Sequence, residues 1–141
     1  MIVVDANLLI YARSENSPHF AAAKEWLKEI LSGDEPIGLP WTTIHAFLRI
    51  MTHPTLTQPP LSPVKSIELI DSWLQQPNVS ILQPGAGYWP IFRRLILDTP
   101  VRGNLVMDAH VAALAVEHGG TVYTTDGDFR RFAGLRVVNP L

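Results

Sequence analysis

Apolar residues recur along the chain in two patterns, short runs rich in β-branched residues and longer segments with a repeat of three to four positions. The short runs predict strands over residues 2–4, 36–40, 79–82, 121–124 and 135–138. The longer segments predict helices over residues 18–32, 42–51, 63–74, 89–97 and 105–118. Strands that alternate with helices favour an α/β fold, a three-layer sandwich with a central, mostly parallel sheet flanked by helices.

Residues that stop helices, cap them or form loops agree with these boundaries. Gly33 and the pair Gly119-Gly120 stop two of the predicted helices, and Asn104 is a capping residue in front of the last helix. Prolines at positions 54, 59, 60 and 63 predict a loop between two helices. Neither an internal repeat nor a linker divides the chain, so we expect a single domain over residues 1–141.

Composition narrows the class of protein. The chain has 141 residues, is 47% hydrophobic and has a mean hydropathy of +0.13, which argues against a disordered regulator. It contains no cysteine, which excludes a disulfide scaffold, a cysteine-ligated zinc site and a thiol nucleophile. The first apolar run stops at Asp5 and no stretch resembles a membrane helix. We therefore expect a cytoplasmic protein without a membrane partner.

Four aspartates occupy positions where α/β proteins place ligand sites. Asp5 follows the first strand, Asp126 and Asp128 follow the strand at 121–124, and Asp108 lies in the first turn of the last helix. Each has a structural alternative as a turn residue, a cap or a partner of the helix dipole. Because carboxylates gathered at one sheet edge repel one another, the set favours a site for Mg²⁺, or Mn²⁺ as a substitute. Such ions commonly activate water for attack at phosphorus.

Charge is distributed unevenly, although the net charge is only −2. Residues 72–141 contain five acids and six bases, and all six bases are arginine, whose planar side chain suits phosphate. Arg130 and Arg131 directly follow Asp128, and with Asn104 they are the predicted substrate-binding residues. An ordinary solvated surface is the alternative reading of these arginines.

Several ordered motifs together resemble one family. They are Val4-Asp5-Ala6-Asn7-Leu8-Leu9, Phe47-Leu48-Arg49-Ile50 followed by Thr52-His53-Pro54, Gly103-Asn104-Leu105-Val106 before Asp108-Ala109-His110, Glu117-His118-Gly119, Thr125-Asp126-Gly127-Asp128-Phe129 and Asn139-Pro140-Leu141. This combination is similar to PIN-domain toxins of the VapC type. The resemblance implies a PIN-like fold and a Mg²⁺-dependent ribonuclease that is the toxin of a type II toxin-antitoxin pair. It also implies a homodimer restrained by a VapB-like antitoxin.

The resemblance also implies residue roles. Asp5 and Asp108 match the principal metal ligands, Asp126 matches the acid that completes the metal site, and Asp128 matches a further catalytic acid. Family members usually carry a glutamate shortly before the Phe-Leu-Arg stretch, where our alignment places Ile44. His45 replaces that glutamate only if the alignment is shifted. The missing acid leaves open an alternative, a catalytically weak or inactive PIN-fold protein that binds RNA or an antitoxin.

The remaining candidate side chains have structural alternatives. We expect His110 to have a structural role. It lies two positions after Asp108 on the same helix, and side chains at that spacing point in different directions. Arg49 is either a member of an ion pair or a contact to RNA. The large aromatic residues Trp41, Trp73, Trp89 and Phe92 are expected in the core rather than in a platform on which bases stack. Alternatively, an apolar groove between two helices, to which an antitoxin helix could dock, is lined by Trp41, Phe47, Leu48, Leu69 and Trp73.

Overall fold

A five-stranded sheet lies at the centre of the computed structural model, which describes residues 1–141. The strands are β1 (Ile2–Val4), β2 (Ile37–Pro40), β3 (Val79–Leu82), β4 (Thr121–Tyr123) and β5 (Val137–Val138). The helices are α1 (Ala6–Tyr11), α2 (Phe20–Ser32), α3 (Trp41–Met51), α4 (Pro63–Leu74), α5 (Tyr88–Asp98) and α6 (Leu105–Glu117), and a 3₁₀ helix spans Gly127–Arg131. Every strand pair is parallel, in the order β3-β2-β1-β4-β5. The predicted α/β class is confirmed.

Two apolar cores cover the two faces of this sheet. Ile2 and Val4 of β1 pack with α1 to α4 on one face, while Val3 packs with α5, α6 and the 3₁₀ helix on the other. Successive side chains of a strand point to opposite faces, so the run Ile2–Val4 is apolar throughout because both of its faces are buried. No helix of the protein has both the length and the apolar character needed to cross a membrane.

The strand order creates a switch point beside β1. The chain proceeds from β1 to β2 and β3 on one side, and α5 and α6 then carry it back to β4 on the other side. In register, Val4 lies opposite Tyr123, and the backbone N–H of Asp5 donates to the carbonyl of Tyr123 at 3.1 Å. Ligands of open α/β sheets bind in the crevice at such a point, outside the carboxyl ends of the strands.

One helix, α1, was not among the predicted elements. Asp5 ends β1 and also caps α1, because its Oδ1 accepts a hydrogen bond from the backbone N–H of Ala6 at 2.8 Å. No loop separates the strand from the helix, and six residues are too few for a clear helical repeat. Asp5 itself is therefore the cap of α1.

Candidate active site

A cleft of about 510 Å³ opens at the switch point, between α3 and the start of α6. Asp5 and Ala6 form its floor, where β1 ends. Its walls are Thr42, Thr43, His45, Ala46 and Arg49 from α3, and Asn104, Met107, Asp108 and Val111 from the start of α6. The buried hydroxyl of Thr43 donates to the carbonyl of Val4 at 2.9 Å and so ties α3 to the end of β1. Two of the four predicted carboxylates, Asp5 and Asp108, thus share one cavity.

Thr124 holds the carboxylate of Asp5 in place. Its hydroxyl donates to Asp5 Oδ2 at 2.6 Å and accepts hydrogen bonds from Asn7 Nδ2 at 3.1 Å and from the backbone N–H of Asp126 at 2.9 Å. Burial raises the pKa of Asp5, and the charge of Asp126 raises it further, against the opposing effect of the hydrogen bonds from Thr124 and Ala6. One threonine therefore joins the polar groups that follow β1 and β4.

Asp108 faces the other carboxylates from the first turn of α6. Partial burial raises its pKa to about 6, with further contributions from the negative charges of Asp5, Asp126 and Asp128. Asp126 caps the 3₁₀ helix, where its Oδ1 accepts from the N–H of Asp128 at 2.9 Å. Asp5, Asp126 and Asp128 are therefore all close enough to Asp108 for their charges to raise its pKa.

This donor set fits a small, hard cation. All the candidate ligands are oxygens, and mutual repulsion raises the free energy of the ionised cluster until a positive charge neutralises it. The buried Oδ1 of Asn7 and Oγ1 of Thr42 have no hydrogen-bond partner. No three His, Cys, Asp or Glu side chains converge on a single point. The arrangement suits Mg²⁺, which is commonly held by one or two carboxylates and keeps several waters.

Of the three predicted substrate-binding residues, only Asn104 lines the cleft. Asn104 lies at the mouth of the cleft, and its side chain makes no capping hydrogen bond, contrary to the role of a cap. Arg130 and Arg131 are exposed on the 3₁₀ helix and do not line the cleft. Arg131 Nε lies 3.4 Å from Asp128 Oδ1, which makes an exposed ion pair. A substrate role for these two arginines stays a prediction.

Ile44, which our alignment places at the family's glutamate position, does not face the aspartates. Ile44 is 4% exposed and belongs to the core shared by β1 and α1 to α4. The residues of α3 that face the cleft are Thr42, Thr43, His45, Ala46 and Arg49. Ile44 lies three and seven positions before Phe47 and Met51, which are also buried, so the helical repeat itself assigns position 44 to the core.

The structure confirms the structural role expected for His110 but not the core position expected for every aromatic residue. The ring of His110 is hydrogen-bonded through Nδ1 to the hydroxyl of Tyr88 at 2.5 Å, as its structural role predicts. Trp73 is 2% exposed, as expected, but Trp41 and Trp89 are 45% and 62% exposed and are not core residues. Phe92 is partly buried against α6.

The predicted groove is filled by its own side chains. Phe47 and Trp73 are both buried and meet edge to face at 4.9 Å between ring centroids. An antitoxin helix therefore cannot lie between them, and this part of the groove prediction is wrong.

Arg49 lies within 4.0 Å of no carboxylate, which excludes an ion pair as its structural role.

Two residues of the candidate site were not predicted as site residues from the sequence. Thr124 was assigned only as the last strand residue, although its place beside Asp126 at the strand end is a usable signal. His45 was considered as a replacement for the missing glutamate and as a residue on the same helix face as Arg49, and the two do line the cleft together.

The chain matches the family model described as PIN domain over residues 2–135. It is 37% identical over 137 residues to Ribonuclease VapC48 of Mycobacterium tuberculosis, covering 96% of this chain and 94% of that protein. It is also 37% identical over 140 residues to Ribonuclease VapC37 of the same organism, covering 99% and 97% of the two proteins.

Solved structures share the fold at low sequence identity. The chain is similar to VapBC2 from Rickettsia felis bound to a DNA fragment of its promoter, with a TM-score of 0.73, 16% identity and coverage of 99% and 98%. It is also similar to VapC20 of Mycobacterium tuberculosis, described as a toxin that cleaves the sarcin-ricin loop, with a TM-score of 0.66, 16% identity and coverage of 96% and 99%.

Proposed function

This chain belongs to the PIN-domain family, and from that premise we propose that it is a Mg²⁺-dependent endoribonuclease, the toxin of a type II toxin-antitoxin system. The observation that carries the proposal is the pair of carboxylates, Asp5 and Asp108, that share one cleft at the switch point of the sheet. The names of the full-length relatives support the same activity.

Asp5 and Asp108 would hold the cation, and Asp126 and Asp128 would add negative charge beside it. When bound, the cation supplies charge that activates water and offsets negative charge growing on the phosphate. Thr124 fixes the carboxylate of Asp5 through its hydroxyl, which limits the positions that this ligand can take. Asn104, from the mouth of the cleft, offers an amide to the sugar-phosphate chain.

Purified protein is expected to cleave RNA when Mg²⁺ or Mn²⁺ is present and to stop when a chelator is in excess. The reason is that clustered carboxylates repel a phosphate until a cation neutralises them. Cleavage is followed on denaturing gels with a labelled RNA, and activity should return when the cation is restored. Undiminished cleavage in excess chelator would contradict the metal-dependent mechanism.

A protein that binds RNA without cleaving it is the second candidate. It is favoured by one observation, that no third His, Cys, Asp or Glu side chain converges with Asp5 and Asp108 on one point. RNA binding without cleavage at any concentration of Mg²⁺ or Mn²⁺ would support this alternative and refute the proposed activity.

A VapB-like antitoxin is the proposed protein partner. VapBC complexes from Rickettsia felis and from nontypeable Haemophilus influenzae have the same fold in their matching chains, with TM-scores of 0.73 and 0.70. The homodimer that the resemblance implies and the cytoplasmic location expected from composition stay predictions.

Expression of this chain alone is expected to arrest bacterial growth, and co-expression of a small protein encoded beside it should restore growth. An endoribonuclease that is free of its inhibitor degrades RNA that the cell needs, whereas a bound inhibitor closes the cleft. Growth curves and affinity co-purification measure the two effects. Harmless expression of folded protein that binds Mn²⁺ would contradict the toxin assignment.

A further inference from the structure

Two asparagines of the protein each bury a side-chain oxygen that has no hydrogen-bond partner, Oδ1 of Asn7 and Oδ1 of Asn78. A buried carbonyl oxygen without a partner costs folding free energy, so the use of each amide lies in its nitrogen. Nδ2 of Asn78 donates to the main-chain carbonyls of Ile30 and Glu35, at 3.0 and 3.1 Å. These bonds tie the residue before β3 to α2 and to the segment after α2, so the role of Asn78 is structural.

Asn7 uses its amide differently. Its Nδ2 donates to the hydroxyl of Thr124 at 3.1 Å, which joins α1 to the residue after β4, 117 positions away in the chain. Thr124 is 1% exposed, and its hydroxyl is the group that holds the carboxylate of Asp5. The amide of Asn7 therefore acts on a side-chain hydroxyl that is in direct contact with a candidate metal ligand.

The hydrogen bonds around the Thr124 hydroxyl can be assigned by counting its proton and its lone pairs. A hydroxyl has one proton to donate and two lone pairs that accept. The backbone N–H of Asp126 can only donate, and it occupies one lone pair at 2.9 Å. An ionised Asp5 can only accept, and its Oδ2 lies 2.6 Å from the same hydroxyl oxygen, so it takes the proton. The contact to Asn7 must therefore come from an N–H, which an amide has and an ionised aspartate lacks.

We propose that Asn7 is a positioning residue for the cation: together with the backbone N–H of Asp126, its amide commits the single proton of Thr124 to Asp5. This inference rests on the proposed function, because it takes Asp5 as a metal ligand. Three hydrogen bonds hold the hydroxyl of Thr124 in one orientation, and that hydroxyl holds Oδ2 of Asp5. Neither Asn7 nor Thr124 lines the cleft, so both act on the site through Asp5.

Calorimetric titration with Mn²⁺ alone, in the absence of RNA, measures the effect. Asn7→Leu has a similar size and no polar atoms, and it should weaken Mn²⁺ binding roughly 10-fold. Thr124→Val should weaken it roughly 10- to 100-fold, the usual range for groups that orient a metal ligand. Added to Thr124→Val, Asn7→Leu should have no further effect, because Asn7 acts through the hydroxyl that is already gone. Added to Thr124→Ser, which keeps the hydroxyl, it should weaken binding as it does in the parent.

Asn78→Leu is the matched control. Asn78 has the same unpartnered buried oxygen, but it precedes β3 and so lies at the end of the sheet opposite the cleft. Asn78→Leu should lower the temperature of thermal unfolding and leave the Mn²⁺ affinity unchanged. Asn7→Ala needs less space than leucine and should weaken Mn²⁺ binding as Asn7→Leu does, which guards against a variant that fails to fold.

Equal Mn²⁺ affinities of the parent and the folded Asn7 variants would overturn the inference. So would an equal loss from Asn7→Leu with and without the hydroxyl of Thr124. A parent protein that does not bind Mn²⁺ would refute both the inference and the metal-dependent mechanism. Mn²⁺ binding that depends on Asn7, in a protein that never cleaves RNA, would refute the proposed function and leave the role of Asn7 in place. Metal-dependent cleavage by a protein whose Mn²⁺ affinity ignores Asn7 would refute the inference alone.

Discussion

Asp108→Asn is expected to abolish RNA cleavage while leaving the metal-free protein at least as stable as the parent. Asp108 is one of only two carboxylates in the cleft, so its loss weakens the hold on the proposed cation. Loss of one group that stabilises transition-state charge, as that cation would, commonly lowers turnover by about 10²- to 10³-fold. The amide keeps the size of the side chain but removes its repulsion with Asp5, Asp126 and Asp128.

The effect of pH on stability follows from the same group. The pKa of Asp108 is raised from 3.8 to about 6 in the folded protein, so the folded state binds this proton more tightly than the unfolded state does. The free energy of unfolding of metal-free protein should therefore fall as the pH rises from about 4 to about 6. In the Asp108→Asn variant the free energy of unfolding should fall much less over this pH range. Added Mg²⁺ should also raise it less than in the parent protein.

Denaturant unfolding at several pH values, with chelator and with Mg²⁺, measures these differences. Asp98→Asn is the control, because Asp98 is an exposed aspartate at the end of α5 outside the cleft. An aspartate that only favoured the helix dipole would lose about 0.3–1 kcal/mol on becoming asparagine and would leave cleavage intact. That result would show that Asp108 only favours the helix dipole and binds no cation.

A glutamate at position 44 and one at position 46 are expected to have opposite consequences. Ile44→Glu places a charge in the apolar core and should lower the free energy of unfolding by about 3–5 kcal/mol, with no gain in metal binding. Ala46→Glu adds a carboxylate to the wall of the cleft. It should tighten Mn²⁺ binding by at least about tenfold, equivalent to roughly 1.4 kcal/mol from one added charge at a partly solvated site.

Calorimetric titration with Mn²⁺ and thermal unfolding distinguish the two positions. Ala46→Gln is the matched control, since it has the same length as glutamate and no charge. A folded Ile44→Glu variant with tighter Mn²⁺ binding would mean that position 44 faces the aspartates after all. Equal Mn²⁺ affinities of the Ala46→Glu and Ala46→Gln variants would mean that the α3 wall lies too far from the cation.

The sheet and its helices were accessible from sequence because β-branched runs and a three-to-four repeat are local signals. The same signals located Asp5, Asp108 and Asp126 at the ends of elements, and parallel pairing accounts for their approach. Predictions failed where an element was short, or where the direction of a side chain depended on how its helix packs. Helix α1 spans six residues, and the exposure of Trp41 and Trp89 depends on which helices lie beside α3 and α5.

The phase of a helix about its axis explains why Ile44 does not face the aspartates. An alignment assigns a position by distance along the chain, whereas each step of one residue turns the side chain by about 100° around the helix. The buried partners of Ile44 were visible in the sequence as Phe47 and Met51, but only the packed structure shows that Thr42, His45, Ala46 and Arg49 face the aspartates.

The hydrogen bond from Thr124 to Asp5 joins residues 119 positions apart in the chain. A ribosome that adds about 5–20 residues per second needs roughly 6 to 24 s to synthesise that interval. During this time the first strand has left the ribosome without the neighbour that completes the cleft, since β4 is among the last elements to emerge. The cleft in which Thr124 holds the carboxylate of Asp5 is therefore completed only after nearly all of the protein has been translated.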